Sequence, residues 1–303
     1  MAPGVNGPTL NVKQFQVLTK LLEQGVHFSQ REMAELLRYS LGTINKTVRE
    51  LTEQKLIVDG QVSSLGLEAL EPYRVKRAVF LAAGFGPRLV PVTLNTPKPL
   101  VRIKGVRMID TLLDAAAAAE IEEIYIVRGY LGEQFDQLLY KYPNIRFIEN
   151  PRYNEENNIS SAMCARHLFQ NAYVLEADFM LYNPSLIQKY QYASNYLGVP
   201  VETSDDWCFE TKNHVISKLK IGGTNCYHVF GISYWNADDG KRLAEDIKKV
   251  YEMPGGKERY WDQVPLEFCR ENYQVEVRTC TFDDITEIDS FADLKRIDST
   301  YRS

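Results

Sequence analysis

A lysine between two prolines and an arginine at the end of a glycine loop are the residues of this chain best suited to chemistry. The lysine is Lys98, in Thr96-Pro-Lys-Pro-Leu100. The arginine is Arg88, in Ala78-Val-Phe-Leu-Ala-Ala-Gly-Phe-Gly-Pro-Arg-Leu89. Gly84 and Gly86 carry no side chains to hold an anion away from the backbone, and an apolar run that empties into such a loop brings N–H groups to phosphate oxygens. Transfer between two phosphates is opposed chiefly by charge repulsion, so cations must stand where charge builds up. The set points to a nucleoside triphosphate whose α-phosphate is attacked. Lys98 would touch the α-phosphate or the incoming phosphate, and Arg88 the β- and γ-phosphates. The prolines restrict the backbone of Lys98 and aim its ammonium. Neither a P-loop nor a complete dinucleotide fingerprint is present, since Leu89 stands where the third Gly or Ala would fall. No Ser-His or Cys-His nucleophile set is evident, which fits direct transfer without a covalent intermediate.

The nucleotide would lie over the backbone of Leu81, Ala82, Ala83, Gly84, Phe85 and Gly86. Gly129, Tyr130, Asn157 and Asn158 follow neighbouring strand signals and could read the polar edge of a base. Asp178 falls just past another strand signal and suits a Mg2+ ion, which takes one or two carboxylates plus phosphate oxygens and waters. Asp289 is a second candidate, although its place before Ser290-Phe-Ala-Asp also suits a helix N-cap.

The glycine loop resembles the nucleotidyltransferase signature Leu-Ala-Ala-Gly-x-Gly-Ser/Thr-Arg followed by Pro-Lys, with Pro87 where that family usually carries Ser or Thr. Further segments are Val127-Arg-Gly-Tyr-Leu-Gly-Glu-Gln-Phe135, Asn157-Asn-Ile-Ser-Ser161, Glu176-Ala-Asp178, Tyr260-Trp-Asp262 and Glu287-Ile-Asp289. Together they resemble the bacterial choline-phosphate cytidylyltransferases over most of the chain after residue 76. The resemblance implies Mg2+-dependent transfer of CMP from CTP to phosphocholine, giving CDP-choline and pyrophosphate, and it implies that Asp178 and Asp289 meet around the metal. Phosphoethanolamine, 2-aminoethylphosphonate and a sugar 1-phosphate stay open as acceptors. A quaternary ammonium has no N–H to donate and is held by aromatic faces with a carboxylate nearby. Trp207 after Asp205-Asp206, then Tyr227, and the cluster Tyr260, Trp261 and Asp262 are the candidates for that pocket. Tyr234-Trp235 reads as a buried strand end, and residues 202–223, acidic then basic, read as a flap over the acceptor.

These residues need a frame. From residue 78 on, helix and strand signals alternate: strands over 78–81, 123–127, 145–149 and 172–175, helices over 108–120, 132–140 and 160–169. Such alternation predicts an α/β fold with a mostly parallel sheet flanked by helices, Rossmann-like, of the GT-A type that the resemblance implies. Ligands of such sheets bind beyond the carboxyl ends of the strands.

The first seventy-odd residues differ. A helical pattern over 12–23, a second helix capped by Ser29 with Glu32 as capping-box partner and carrying Met33, Leu36 and Leu37, and a third over 43–54 precede two short β-prone pieces around Asp59-Gly60, a hairpin signal. Three helices and a hairpin resemble a winged helix-turn-helix of the MarR type, whose third helix offers Thr43, Asn45, Lys46, Thr47 and Arg49 to DNA. Through Arg77 the segment holds ten basic and eight acidic residues, a thin excess for a DNA binder. A module for dimerisation or regulation is the other reading. Glu71-Pro-Tyr-Arg-Val-Lys-Arg77 is the junction, so the expected domains are 1–73, a winged helix, and 74–303, a nucleotidyltransferase.

The bulk properties exclude little else. The chain has 303 residues, a net charge of −5 and 45% hydrophobic residues, so no global basic field calls for nucleic acid. No apolar run approaches a membrane span, and the N-terminus reads as a short lead without a signal peptide. Cys164, Cys208, Cys226, Cys269 and Cys280 are scattered; zinc or a disulfide framework is not expected, and a reducing cytoplasm fits. His27, His167, His214 and His228 read as surface or packing residues. A rival of another class is a DNA-binding regulator that uses the enzyme-like domain as a metabolite sensor.

Overall fold

The computed structural model describes residues 9–24 and 29–302; the N-terminal lead and His27 lie outside them. The chain divides into two compact units, Met1–Arg74 and Val75–Ser303.

In the first unit, α1 (Val12–Gln24), α2 (Gln30–Leu37) and α3 (Leu41–Glu53) precede a two-stranded hairpin, β1 (Ile57–Val58) and β2 (Gln61–Val62), and then α4 (Ser64–Leu70). Each helix start after α1 has a local cause. Ser29 caps α2 in a capping box with Glu32. Ser40 accepts the Thr43 N–H, so α3 begins two residues earlier than expected. Ser63 caps α4. Asp59 and Gly60 both have positive φ, 51° and 77°, which is the twist a two-residue hairpin loop needs. Phe15, Val17, Leu18, Met33, Ile44, Leu51 and Leu70 are buried along the helical stripes, and Leu56, just before β1, joins them in the interior.

The second unit runs β3 (Arg77–Leu81), β4 (Arg102–Ile103), β5 (Val106–Arg107), α5 (Met108–Ala118), β6 (Glu123–Arg128), β7 (Ile145–Glu149), α6 (Ile159–Ala165), β8 (Ala172–Glu176), β9 (Phe179–Leu181), β10 (Asn195–Lys212), β11 (Val215–Trp235), α7 (Ala237–Tyr251), β12 (Glu276–Thr279), β13 (Ile285–Glu287) and α8 (Phe291–Ile297). Its seven-stranded sheet has the order β10-β12-β11-β8-β3-β6-β7. The four strands β8, β3, β6 and β7 are mutually parallel, and β11 joins them antiparallel to β8. Alternate residues of β3 enter different cores: Ala78 and Phe80 join Leu112, Leu113 and Tyr173, while Val79 and Leu81 join Ile159, Phe169 and Trp235. A strand buried on both faces reads as a continuous apolar run, as this one does.

The expected helix over 132–140 is a 3₁₀ helix, Gly132–Tyr140, and the one over 160–169 is α6 followed by a 3₁₀ turn, Arg166–Leu168. The segment expected as a flap, 202–223, lies within a long antiparallel hairpin of β10 and β11. Its register shifts around Ser204–Thr211 break the alternation that would mark strands in the sequence. Tyr234 and Trp235 are fully buried at the end of β11.

Candidate active site

The glycine loop leaves β3 at the carboxyl edge of the sheet. Leu81 pairs with Val127 of β6 on one side and with Glu176 of β8 on the other, so the three strand ends lie side by side. Ligands of open parallel sheets sit in this position. Leu81, Ala82 and Ala83 are buried and Gly84 is exposed. At Gly86 (φ 65°) a Cβ would stand 3.1 Å from Lys98 Cβ and 3.2 Å from its Cδ. Only glycine satisfies both the left-handed backbone and the stem of Lys98. Thr93 Oγ1 donates to Gly86 O at 3.0 Å, which ties the loop to the chain that leads to Lys98. Lys98 itself opens a 3₁₀ turn, Lys98–Leu100, whose Pro99 and Leu100 are buried. Pro87 opens another, Pro87–Leu89, which leaves the Arg88 side chain 68% exposed.

Asp178 and Asp289, far apart in sequence, are brought together by a short ribbon. β9 and β13 pair antiparallel with Phe179 opposite Glu287, and the Ile288 N–H donates to Asp178 O at 3.2 Å. The cap of α8 is Ser290, in a capping box with Asp293, so Asp289 is not used as the cap. Leu89, Val101, Ile103, Met108, Met180, Ile288 and Leu294 form a small core beneath, joining the glycine loop, the ribbon and α8.

Among the described residues, one oxygen each from Asp178, Glu287 and Asp289 lie within 4.8 Å of one another. Lys98 Nζ stands 2.8 Å from Asp178 Oδ2 and 3.3 Å from Asp289 Oδ1, and Arg88 Nη2 donates to Asp289 Oδ1 at 2.8 Å. Asp178 Oδ1 is buried without a hydrogen-bond partner. A three-carboxylate set with a spare, sealed oxygen fits a hard divalent cation such as Mg2+. Burial alone would pull the Lys98 ammonium down, but Asp178, Asp289 and Glu287 together raise it above its ordinary value. Burial, then the charges of Asp178 and Asp289, push Glu287 up to about 10. Glu176 rises well above the carboxylate range through burial and the charges of Asp178 and Asp262. Glu287 and Glu176 were not singled out as site residues from the sequence. Each lies two residues before an aspartate, Asp289 and Asp178, and in extended chain that spacing puts both carboxylates on one face.

The residues expected to read a base are engaged with the protein. Tyr130 N–H donates to Ala83 O and its hydroxyl to Thr93 O at 2.8 Å, while its ring meets Phe85 edge-on at 4.7 Å. Tyr130 therefore braces the glycine loop. Gly129 lies under the Tyr153 ring, 2.6 Å from where a Cβ would sit. Asn158 accepts from the Trp261 N–H at 2.9 Å and donates to Glu176 Oε1 at 3.1 Å. Asn157 donates from Nδ2 to Glu258 O at 3.1 Å.

On the acceptor side, Trp207 of β10 and Tyr260 meet edge-on at 5.8 Å and 70°, two walls of an aromatic corner. Tyr260 is 44% exposed. Tyr227, half-buried on β11, lies opposite Phe209 and Pro200. Trp261 departs from expectation. It is 1% exposed and packs against Phe169, Tyr196 and Trp235, so its ring belongs to the core and offers no face to a ligand. Asp262 Oδ1 is sealed without a partner, and burial raises the carboxyl to about 6.

Residues 78–209 match the family of MobA-like NTP transferase domains. The chain is 34% identical over 228 residues to a 2-aminoethylphosphonate cytidylyltransferase of Lancefieldella rimae, covering 74% of this chain and 92% of that protein. It is 31% identical to the choline-phosphate cytidylyltransferase of Haemophilus influenzae, over 73% of this chain and 95% of that one. Its fold is similar to that of the CTP:phosphocholine cytidylyltransferase from Streptococcus pneumoniae, with a TM-score of 0.69, 29% identity, and coverage of 75% and 99%. No helix among the described residues is long and apolar enough to cross a membrane.

Proposed function

Because the chain belongs to the cytidylyltransferases, with a MobA-like NTP transferase domain, we propose that it transfers CMP from CTP to a small phosphorylated amine, phosphocholine first. The observation that carries this reading is the convergence of Lys98, Arg88 and three carboxylates at the mouth of the glycine loop. An oxygen of the acceptor phosphate attacks the α-phosphorus in line. The bond from that phosphorus to the α–β bridging oxygen breaks, and pyrophosphate leaves. Lys98 and Arg88 exchange their carboxylate partners for phosphate oxygens, which places positive charge where the transition state gathers negative charge. Asp178, Glu287 and Asp289 would hold Mg2+, which when bound adds positive charge against the phosphates. The backbone of residues 81–86 carries the nucleotide.

The corner of Trp207 and Tyr260 suits a trimethylammonium group, which aromatic faces attract without hydrogen bonds. A specific observation favours a second acceptor. The chain is 34% identical to a 2-aminoethylphosphonate cytidylyltransferase, and 2-aminoethylphosphonate offers a primary ammonium in place of the trimethylammonium. Pyrophosphate release from CTP, UTP and dTTP, each offered with phosphocholine, phosphoethanolamine, 2-aminoethylphosphonate and a sugar 1-phosphate, tests both readings. CTP-dependent turnover of an amine is expected. Turnover of the sugar phosphate alone, or of none, refutes the proposal.

A further inference from the structure

Three consecutive residues ahead of α6, Glu156, Asn157 and Asn158, grip one loop from the far end of the chain. Glu156 Oε1 lies 3.0 Å from Lys257 Nζ. The Asn157 N–H donates to Lys257 O at 2.9 Å, and its Nδ2 to Glu258 O at 3.1 Å. Asn158 Oδ1 accepts from the Trp261 N–H at 2.9 Å. Asn157 Oδ1 accepts from the Asn158 N–H at 2.7 Å, which locks the two amides to each other. Residues 257–260 are all exposed, so buried side chains do little to hold them; polar contacts and the buried Trp261 that follows do. Tyr260 sits inside this grip, and its ring forms the corner with Trp207. The other end of the clasp is Glu176 Oε1, which accepts from Asn158 Nδ2 at 3.1 Å. Glu176 ends β8, two residues before Asp178.

We propose that Asn157 and Asn158 are positioning residues for the acceptor, a clasp that fixes the aromatic corner at a set distance from the phosphate-transfer centre. They do not serve as readers of the base. The inference rests on the cytidylyltransferase reading with an amine-bearing acceptor. Each amide has its oxygen and its nitrogen bonded to the protein, so turning either toward a base would release a segment of the acceptor loop. Held this way, the corner and Asp178 are referred to the same strand end, and the span between amine and phosphate becomes a property of the fold.

The test is steady-state kinetics of the full chain with CTP and the best acceptor, comparing wild type with Asn157→Ala, Asn158→Ala, Tyr260→Ala and the double variant Asn158→Ala/Tyr260→Ala. The expected result is a rise of about tenfold or more in acceptor KM, with CTP KM within about twofold of wild type. Effects in the double variant should fall well short of the product of the singles, because both remove the same corner. A rise confined to CTP KM, a loss of preference for CTP over UTP, or full multiplicativity with Tyr260→Ala overturns the inference. Should Asn158→Ala fail to fold, Asn157→Ala, which gives up only side-chain bonds to the backbones of 258 and 158, carries the same comparison. A wild-type chain that turns over no amine with CTP refutes the functional reading itself, and the clasp falls with it; a failure of the clasp alone shows as normal turnover with the wrong KM moved.

Discussion

Replacing Lys98 with methionine keeps a stem of similar length against Gly86 and removes only the ammonium. The consequence can be sized from the structure. The Lys98 side chain is 11% exposed, and its partners Asp178 and Asp289 are 22% and 25% exposed. Breaking a mostly buried ion pair by removing one partner costs about 3–5 kcal/mol, because the remaining charge is left uncompensated. The lower end applies here. The partners keep some contact with water, which screens the charge left behind once the lysine is gone. For a domain of this size about 3 kcal/mol corresponds to roughly 6–12 °C in Tm. Divalent ions should stabilise both proteins and narrow the difference between them. In the wild type an incoming Mg2+ must displace the ammonium from two of its ligands. In Lys98→Met it meets bare carboxylates. Mg2+ at about 100 times its Kd adds about 2.7 kcal/mol to either protein, but the variant should reach that point at lower Mg2+ and close most of the gap. Turnover should nevertheless stay about 10²–10³-fold down, the usual loss for one donor aimed at developing charge. Thermal melts in chelator and across a Mg2+ titration, paired with pyrophosphate release, read all three quantities. Equal melting in chelator together with equal Mg2+ midpoints would show that the ammonium does not neutralise these acids, and the reasoning would fail.

Gly86→Ala forces a non-glycine residue to φ 65° and sets its Cβ 3.1 Å from Lys98; about 1–2 kcal/mol of strain is expected, with a kcat/KM loss of tenfold or more that melting alone would not foretell, and an alanine variant of normal activity would contradict the packing. Asp262 rises from near 3.8 to about 6 through burial. Stability is therefore present below the lower value and lost as pH climbs through the higher one. Asp262→Asn should melt higher than wild type at pH 8, by the equivalent of about 1–3 kcal/mol, and lose that advantage by pH 4; a gain independent of pH would refute the assignment. The exposed Asn45, Lys46 and Arg49 on α3 are the face that a duplex would meet if the first unit binds DNA. Lys46 lies 3.8 Å from Glu50 and Arg49 lies 3.8 Å from Glu53 on the same helix, so their net field is weak. Gel shifts of the full chain should then be salt-dependent, and Lys46→Ala/Arg49→Ala should weaken every sequence alike and flatten the salt slope by about 2; no shift at low salt would leave that unit without a DNA role.

What could be read from the sequence was what short stretches of chain decide for themselves. The parallel sheet was legible because β3, β6 and β8 are compact apolar runs between polar loops and β7 is a short β-prone piece of the same length, and Ser29 and Ser40 announce their helices through local capping hydrogen bonds. The glycine loop was legible because its backbone demands are local. The hairpin of β10 and β11 was not, since its register shifts interrupt the period-2 signal where it would have been counted. The tryptophans show the limit most sharply. Trp207, Trp235 and Trp261 all stand in aromatic or acidic company in the sequence, yet Trp235 and Trp261 are core and only Trp207 is half-exposed. Trp235 was legible as a buried strand end, but what separates Trp261 from Trp207 is which distant elements pack against each, and no local pattern encodes that. The asparagines carry the same lesson further. Asn157-Asn158 looked free to read a ligand because their partners, Glu176 and residues 257–261, are remote in the chain or carry no mark of the contact. A polar pair after a strand signal is thus ambiguous between touching a substrate and holding the loop that touches it. Kinetic separation of the two substrates' KM values distinguishes those roles in a way that residue type cannot.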